Sequence, residues 1–305
     1  MLFEGKEAKN NWGNNTNSED GLGSKVKTII KDADIKYIVQ KNKRSLIFWI
    51  GLLVSIIFVY FVFSSGEFSF ILVISAMVQC ASFFTIAMNV HSKQNAAGLS
   101  LNTMICYLLI TTSRLSSTMF YSGYLPSDSA GDWFYQLCEL GSLVFVIINM
   151  YFITKVYSEL DASDNKDDMD YKYFAVPAAI LALLVHTHLN GNILTDVAWS
   201  FSMYLEGFAL LPQLNLFNNR KGQIESFTSN YVFLQGLHRL LTLIFWWQTY
   251  EELNDESDSS FSFFHTYTGY FILFAQIIQL IIMADFYYHY FKSLFKGEKM
   301  TISEI

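Results

Sequence analysis

Three ionisable side chains, Glu206, His238 and Arg239, sit in the middle of two long apolar stretches of this 305-residue chain. The stretches read DVAWSFSMYLEGFALLPQLNLF from Asp196 and SNYVFLQGLHRLLTLIFWW from Ser229, joined by the polar turn NNRKGQIESFT. Arg114 lies in a third apolar run, MICYLLITTSRLSSTMF. An ionisable group at membrane depth costs at least ~2.5–3.5 kcal/mol on insertion scales, so it normally has a partner or a task. Glu206 with Arg239 reads as a static ion pair. Glu206 with His238 reads as a pair that changes charge near physiological pH, which makes the three residues a candidate polar core and pH switch. The planar guanidinium of Arg114 suits a carboxylate, to which it donates two parallel hydrogen bonds; it could equally pair with Glu139 purely for folding. Asp196 opens a helical run and reads as a possible N-cap. Trp246 reads as an aromatic packed at the membrane interface. Pro212 breaks the first stretch near one end. The two stretches are expected to face each other as a hairpin around a polar interior.

Other chemistries find little support. Cys80, Cys106 and Cys138 all lie in apolar segments and read as packing residues rather than a disulfide or metal set. His186 and His188, two apart beside a loop, are a weak metal signal. No G-x-S-x-G, phosphate-binding loop or paired catalytic carboxylate motif occurs, so neither an enzyme nor a bound cofactor is expected. The last apolar segment, Phe263–Phe291, contains no lysine, which excludes a retinal Schiff base there. With a net charge of −7 and no large basic face, nucleic acid is not an expected partner.

The elements that must position these residues are membrane helices. The chain is 52% hydrophobic and 17% aromatic, with three prolines. Such a composition indicates an all-α polytopic membrane protein, with the lipid bilayer as its surroundings. Residues 1–44 are polar and Lys-rich and read as a disordered basic tail, with a possible short helix at Lys25–Gln40. Eight apolar runs follow: Ser45–Ser64, Phe68–Val90, Leu99–Tyr121, Trp133–Tyr157, Tyr173–His188, Ile193–Phe217, Thr228–Tyr250 and Phe263–Phe291. The first is an extra anchor helix, residues 68–291 form the main domain, and 292–305 a second tail. Tyr173–His188 is marginal against the ~20 residues a span needs, and Pro177 sits in it. The links after spans one, three, five and seven contain no Lys or Arg. The basic residues outside the membrane fall on the other side: Lys43, Arg44, Lys93, Lys155, Lys166, Lys172, Arg220, Lys221, Lys292, Lys296 and Lys299. The positive-inside rule puts both termini in the cytosol.

Five motifs, in order, carry a resemblance: AGLSL at Ala97–Leu101, TTSRL around Arg114, WSFSMYLEGFALLPQL, NYVFLQGLHRLL, and ADFYYHYFKSLFKGEK at Ala284–Lys299. From about Phe68 to Lys299 the chain resembles the KDEL receptor family, which retains soluble proteins in the ER lumen. The resemblance implies seven helices in two three-helix repeats plus a linker, akin to SWEET-type sugar transporters and PQ-loop proteins, the PQ pair here being Pro212-Gln213. The extra helix and long tail resemble the longer, receptor-like branch of that family. The implied function is a receptor of the ER and Golgi membranes that binds C-terminal peptides of lumenal proteins and returns in COPI vesicles.

The resemblance also assigns residues. Arg114 matches the arginine holding the peptide's terminal carboxylate, Asp196 an acid thought to meet the ligand's lysine, and Trp246 a tryptophan beside the pocket. His238 stands where the receptors have a tyrosine that interacts with the glutamate matching Glu206. Lys292, Lys296 and Lys299 match lysines that engage the COPI coat. Departures are equally specific. The other two ligand arginines fall on Leu72 and Thr249, the ligand-side aspartate on Ser117, and the histidine proposed as pH sensor on Gln79. A doubly acidic peptide needs compensating cations in a low-dielectric site, and one of three is kept. The alternative is therefore a diverged paralogue that does not bind KDEL, or a small-solute transporter of the same architecture.

Overall fold

A computed structural model of the chain describes residues 43–64, 66–96, 98–126, 131–156, 167–219, 226–254 and 267–296. Residues 1–42 of the basic tail, with the expected helix at Lys25–Gln40, and Lys299 lie outside the described residues. Those described are helical: α1 (Lys43–Phe63), α2 (Phe70–Lys93), α3 (Leu101–Thr118), α4 (Asp132–Tyr151), α5 (Lys172–Leu184), α6 (Ile193–Glu206), α7 (Leu211–Asn219), α8 (Ser226–Thr249) and α9 (Thr268–Lys296). A π-helical turn, Phe152–Val156, continues α4, and a 3₁₀ turn, Tyr250–Leu253, follows α8.

The exposure pattern is that of a membrane protein. Ile50, Phe58, Phe61, Val176, Leu183, Phe274 and Ile281 face outward, while Gln79, Arg114, Glu139, Asn149, Glu206, Gln213 and Arg239 are buried. Lipid tails gain nothing by expelling apolar side chains, so polar and small residues do the holding between membrane helices. By length and composition three helical stretches, Phe70–Lys93, Asp132–Val156 and Thr268–Ser293, are apolar enough to cross a bilayer. The others carry the interior's polar groups or are short or broken. Helix α5 has 13 residues, or ~20 Å at 1.5 Å per residue, against a hydrocarbon core of ~30 Å. Its extension is the non-helical stretch Val185–Thr187, buried against α6 and α9. Tyr204 donates to the Val185 carbonyl at 3.0 Å and Thr268 to that of His186 at 3.2 Å. Irregular backbone is tolerated at depth when protein satisfies it in this way.

The expected two triplets are α2–α3–α4 and α6/α7–α8–α9, linked by α5. In each, the third helix packs on both others: α4 on α2 and α3, α9 on α6 and α8. Across the interface, α2 packs on α8 and α3 on α6, so exchanging the triplets exchanges equivalent contacts. This narrows the hairpin reading: α6 and α8 meet through Glu206, His238 and Arg239 but do not pack along their length, and α9 packs on each of them. Helix α1 seals the α2/α8 seam, with Leu52 against Val78 and Leu234 and Trp49 edge-on to Phe233 at 5.2 Å.

The stretch expected as one span, Ile193–Phe217, is two helices. The interruption covers Gly207–Leu210, and Pro212 is the second residue of α7, where its missing N–H removes no helical bond. At Gly207 an added Cβ would stand 3.0 Å from the Ala275 carbonyl oxygen of α9, so the break is also a point of close approach. Gln213 anchors α7: it donates to the Gly98 carbonyl at 2.7 Å and accepts from the Ser100 N–H at 3.0 Å. Gly98 has φ +96°, a conformation that favours glycine, and Ser100 caps α3 by accepting from the Thr103 N–H at 3.0 Å. These bonds account for the AGLSL and PQ segments as one stitched corner.

A buried charge cluster at the helix break

Glu206 is the last residue of α6. A helix C-terminus already carries partial negative charge, so a carboxylate there needs donors from elsewhere. Four converge on it. Arg114 of α3 and Arg239 of α8 both pair with Oε2. Gln79 of α2 donates its amide to Oε1 at 2.8 Å, and His238 Nε2 lies 3.0 Å from the same oxygen. The other His238 ring nitrogen is 2.9 Å from the Ser75 carbonyl of α2. Arg114 also reaches Glu139 of α4, Nη1 to Oε1 at 3.2 Å. The members are sealed from solvent, Arg114 at 4% exposure being the most open of them.

Arg114 pairs with Glu139 and with Glu206, and Glu206 is shared by Arg239 and His238. With a neutral imidazole, two guanidinium groups balance two carboxylates. Removing one partner of such a set leaves a charge buried without compensation, typically a loss of about 3–5 kcal/mol.

A second group lies toward the Lys/Arg-free end. Asp196 is fully buried in the first turn of α6. It is not the cap: Asn192 is, accepting from the Leu194 N–H at 3.1 Å. Asp196 Oδ1 accepts from the Tyr124 hydroxyl at 2.8 Å and the Asn190 N–H at 3.1 Å, and Oδ2 has no hydrogen-bond partner among the described residues. Tyr124 stacks on Trp199 at 4.1 Å, and Trp246 stands edge-on to Trp199 at 5.3 Å. Trp246 is 5% exposed, so it belongs to this interior aromatic wall rather than to the membrane interface.

The positions that depart from the resemblance have other occupations. Leu72 is buried in the apolar core. Ser117 donates to the Thr195 carbonyl at 2.6 Å, and Thr249 to the Phe245 carbonyl of its own helix at 3.2 Å. Gln79 enters the charge cluster as a neutral donor. Lys292 is exposed near the end of α9, its ammonium 5.6 Å from the Tyr288 ring centre, and Lys296 closes that helix. Among the described residues no group of His, Cys, Asp and Glu side chains is placed to hold a metal ion. The sequence reading under-used Glu139 and missed Tyr124. Glu139 was signalled by being an acid inside an apolar run, whereas nothing local marks Tyr124.

Residues 95–249 match the model of the family described as ER lumen protein retaining receptor. Among curated proteins, the chain is 29% identical over 228 residues to the Arabidopsis thaliana ER lumen protein-retaining receptor B, covering 74% of this chain and 95% of that one. It is 25% identical over 235 residues to the Dictyostelium discoideum ER lumen protein-retaining receptor, covering 75% and 96%. With the Bos taurus ER lumen protein-retaining receptor 2 it shares 26% identity over 230 residues, covering 73% and 93%.

Proposed function

Because the chain belongs to the ER lumen protein retaining receptor family, we propose that it is a membrane receptor for the C-terminal segments of proteins in the ER lumen. In this reading the Lys/Arg-free end faces the lumen and both termini face the cytosol. The ligand's carboxylate binds Arg114, a basic ligand residue meets Asp196, and Trp199 and Trp246 line the path between. The observation that carries the reading is the placement of Asp196 and Glu206 on one helix. Ten residues apart, they are separated by ~15 Å at 1.5 Å per residue. Four extended residues reach ~13–14 Å at 3.3–3.6 Å each. A short C-terminal segment with its carboxylate on Arg114, beside Glu206, therefore brings its first residues to Asp196.

The ligand is less acidic than Lys-Asp-Glu-Leu. Each ligand carboxylate left unpaired in a dry pocket costs several kcal/mol, and Leu72 and Thr249 offer no cation. A loss of even ~3 kcal/mol is more than a hundredfold in affinity. The test is peptide binding by the purified full chain at mildly acidic pH. Weak binding of a Lys-Asp-Glu-Leu peptide and tighter, Arg114-dependent binding of a less acidic C-terminus are expected; tight Lys-Asp-Glu-Leu binding would make it an ordinary retention receptor.

Recycling between Golgi and ER through the COPI coat is proposed through Lys292, Lys296 and Lys299. Lysines at the end of a membrane helix are also an ordinary juxtamembrane cluster. Loss of coatomer capture and of ER return on changing all three to serine separates the two roles. The transporter alternative draws on the paired triplets, an architecture shared with carriers, and predicts solute flux into vesicles reconstituted with the protein.

A further inference from the structure

We propose that Glu139 is a built-in competitor for the ligand's carboxylate: it pairs with Arg114 and so sets which C-termini can enter. The inference deepens the receptor reading and rests on it for the identity of the ligand. Glu139 contacts Arg114 through one oxygen only, Oε1 on Nη1 at 3.2 Å. Its second oxygen is buried with no hydrogen-bond partner among the described residues. Arg114 is thus held one-pronged on this side, while its Nη2 stays on Glu206. A guanidinium can donate two parallel bonds to a carboxylate, so this contact leaves binding capacity unused and is displaceable by a better-aligned carboxylate.

Charge gives the competition its sign. Arg114, Arg239, Glu206 and Glu139 sum to zero with His238 neutral. The remaining groups facing them are uncharged: Gln79 and Cys80 from α2, Tyr107 from α3 and Tyr135 from α4. An incoming carboxylate makes the cluster anionic unless a proton enters with it, on His238 or on Glu139. Replacing Glu139 by glutamine keeps an acceptor for Nη1 and leaves one positive charge waiting, which the ligand's carboxylate then cancels. The tripartite set of Glu139, Arg114 and Glu206 therefore acts as a carboxylate filter that is stringent at neutral pH.

Two measurements on the full chain test this. In the first, acetate is the probe and no peptide is needed. Glu139→Ala opens room for a small carboxylate beside Arg114, so acetate at constant ionic strength is expected to raise its unfolding temperature progressively, with no comparable rise for the unmodified protein. Equal responses would overturn the proposal. In the second, free-acid and C-terminally amidated forms of one peptide are titrated against the unmodified protein, Glu139→Gln and Glu139→Asp at neutral and acidic pH. Glu139→Gln is expected to bind the free acid at least tenfold more tightly at neutral pH with a flatter pH profile, Glu139→Asp to lie between, and the amide to be indifferent. Unchanged or weaker free-acid binding in Glu139→Gln, where the unmodified protein binds, would also overturn it. A positive acetate result with no variant binding any peptide would sink the receptor reading and leave Glu139 as the competitor of another carboxylate.

Discussion

Glu206 concentrates the interior's polar chemistry on one side chain, and its position at a helix C-terminus explains why four donors are needed. Substituting it by alanine strands Arg239, which is fully buried and whose described ion pair is with Glu206, while Arg114 keeps Glu139. Glu206→Ala is expected to destabilise the protein by about 3–5 kcal/mol, read as a large fall in unfolding temperature in detergent. His238 is the cluster's one histidine, the residue type whose ordinary charge change lies between pH 5 and 8. In the proposed receptor a proton on it would add positive charge beside Glu206, so carboxylate binding should strengthen as the ring gains that proton and weaken as it loses it. His238→Phe is expected to flatten the dependence, and an unchanged profile would exonerate this histidine. The sequence exposed most of these residues, because charge inside an apolar run is conspicuous. It did not expose the partners: helical periodicity says which face a residue occupies, not which of several helices meets that face. Hence the pairing of Glu206 with Gln79 and Arg114, and of Asp196 with Tyr124, came from the fold.

At the scale of elements, the apolar runs located the helices to within a few residues, because bilayer thickness sets a length that composition must match. The runs did not reveal that Ile193–Phe217 breaks before Pro212 rather than at it, nor that α9 packs on both α6 and α8. Both features depend on non-local contacts made by small residues. Gly269 shows how tightly α9 is seated. A Cβ there would lie 2.1 Å from the Tyr250 carbonyl oxygen, and its N–H donates to Asn254 at 2.9 Å. The obstacle is backbone, so no side-chain rotation relieves it. Gly269→Ala is expected to cost about 1–3 kcal/mol by displacing the start of α9 from the turn after α8. Thermal unfolding measures the loss; a melting temperature equal to that of the unmodified protein would mean that the turn yields freely.

For the whole molecule the parity of crossings decides which side holds the termini. Eight crossings return the chain to the side on which it began, and that count requires α6 and α7 to cross as one unit and the short α5 to cross at all. The second condition is the weaker on length alone. Its support is the satisfied extended stretch Val185–Thr187, which carries the chain onward from α5 while remaining buried. If α5 turned back instead, the link after it would share a side with Lys172, and the separation of basic from Lys/Arg-free links would be lost. Charge asymmetry and packing therefore favour the same path. In the proposed orientation Asn14, in the sequon Asn14-Asn15-Thr16, is expected to stay on the cytosolic side and carry no glycan, since the transferase acts in the lumen. A sequon engineered into the link between Leu189 and Asn192, spaced from the membrane by a short polar insert, is expected to be glycosylated, whereas one placed by the same means between Arg220 and Gly222 is not. Endoglycosidase sensitivity of each variant on a gel reads the result. A glycan on Asn14 would invert the proposed orientation, and an unmodified first link beside a modified second would do the same for the domain that carries the site.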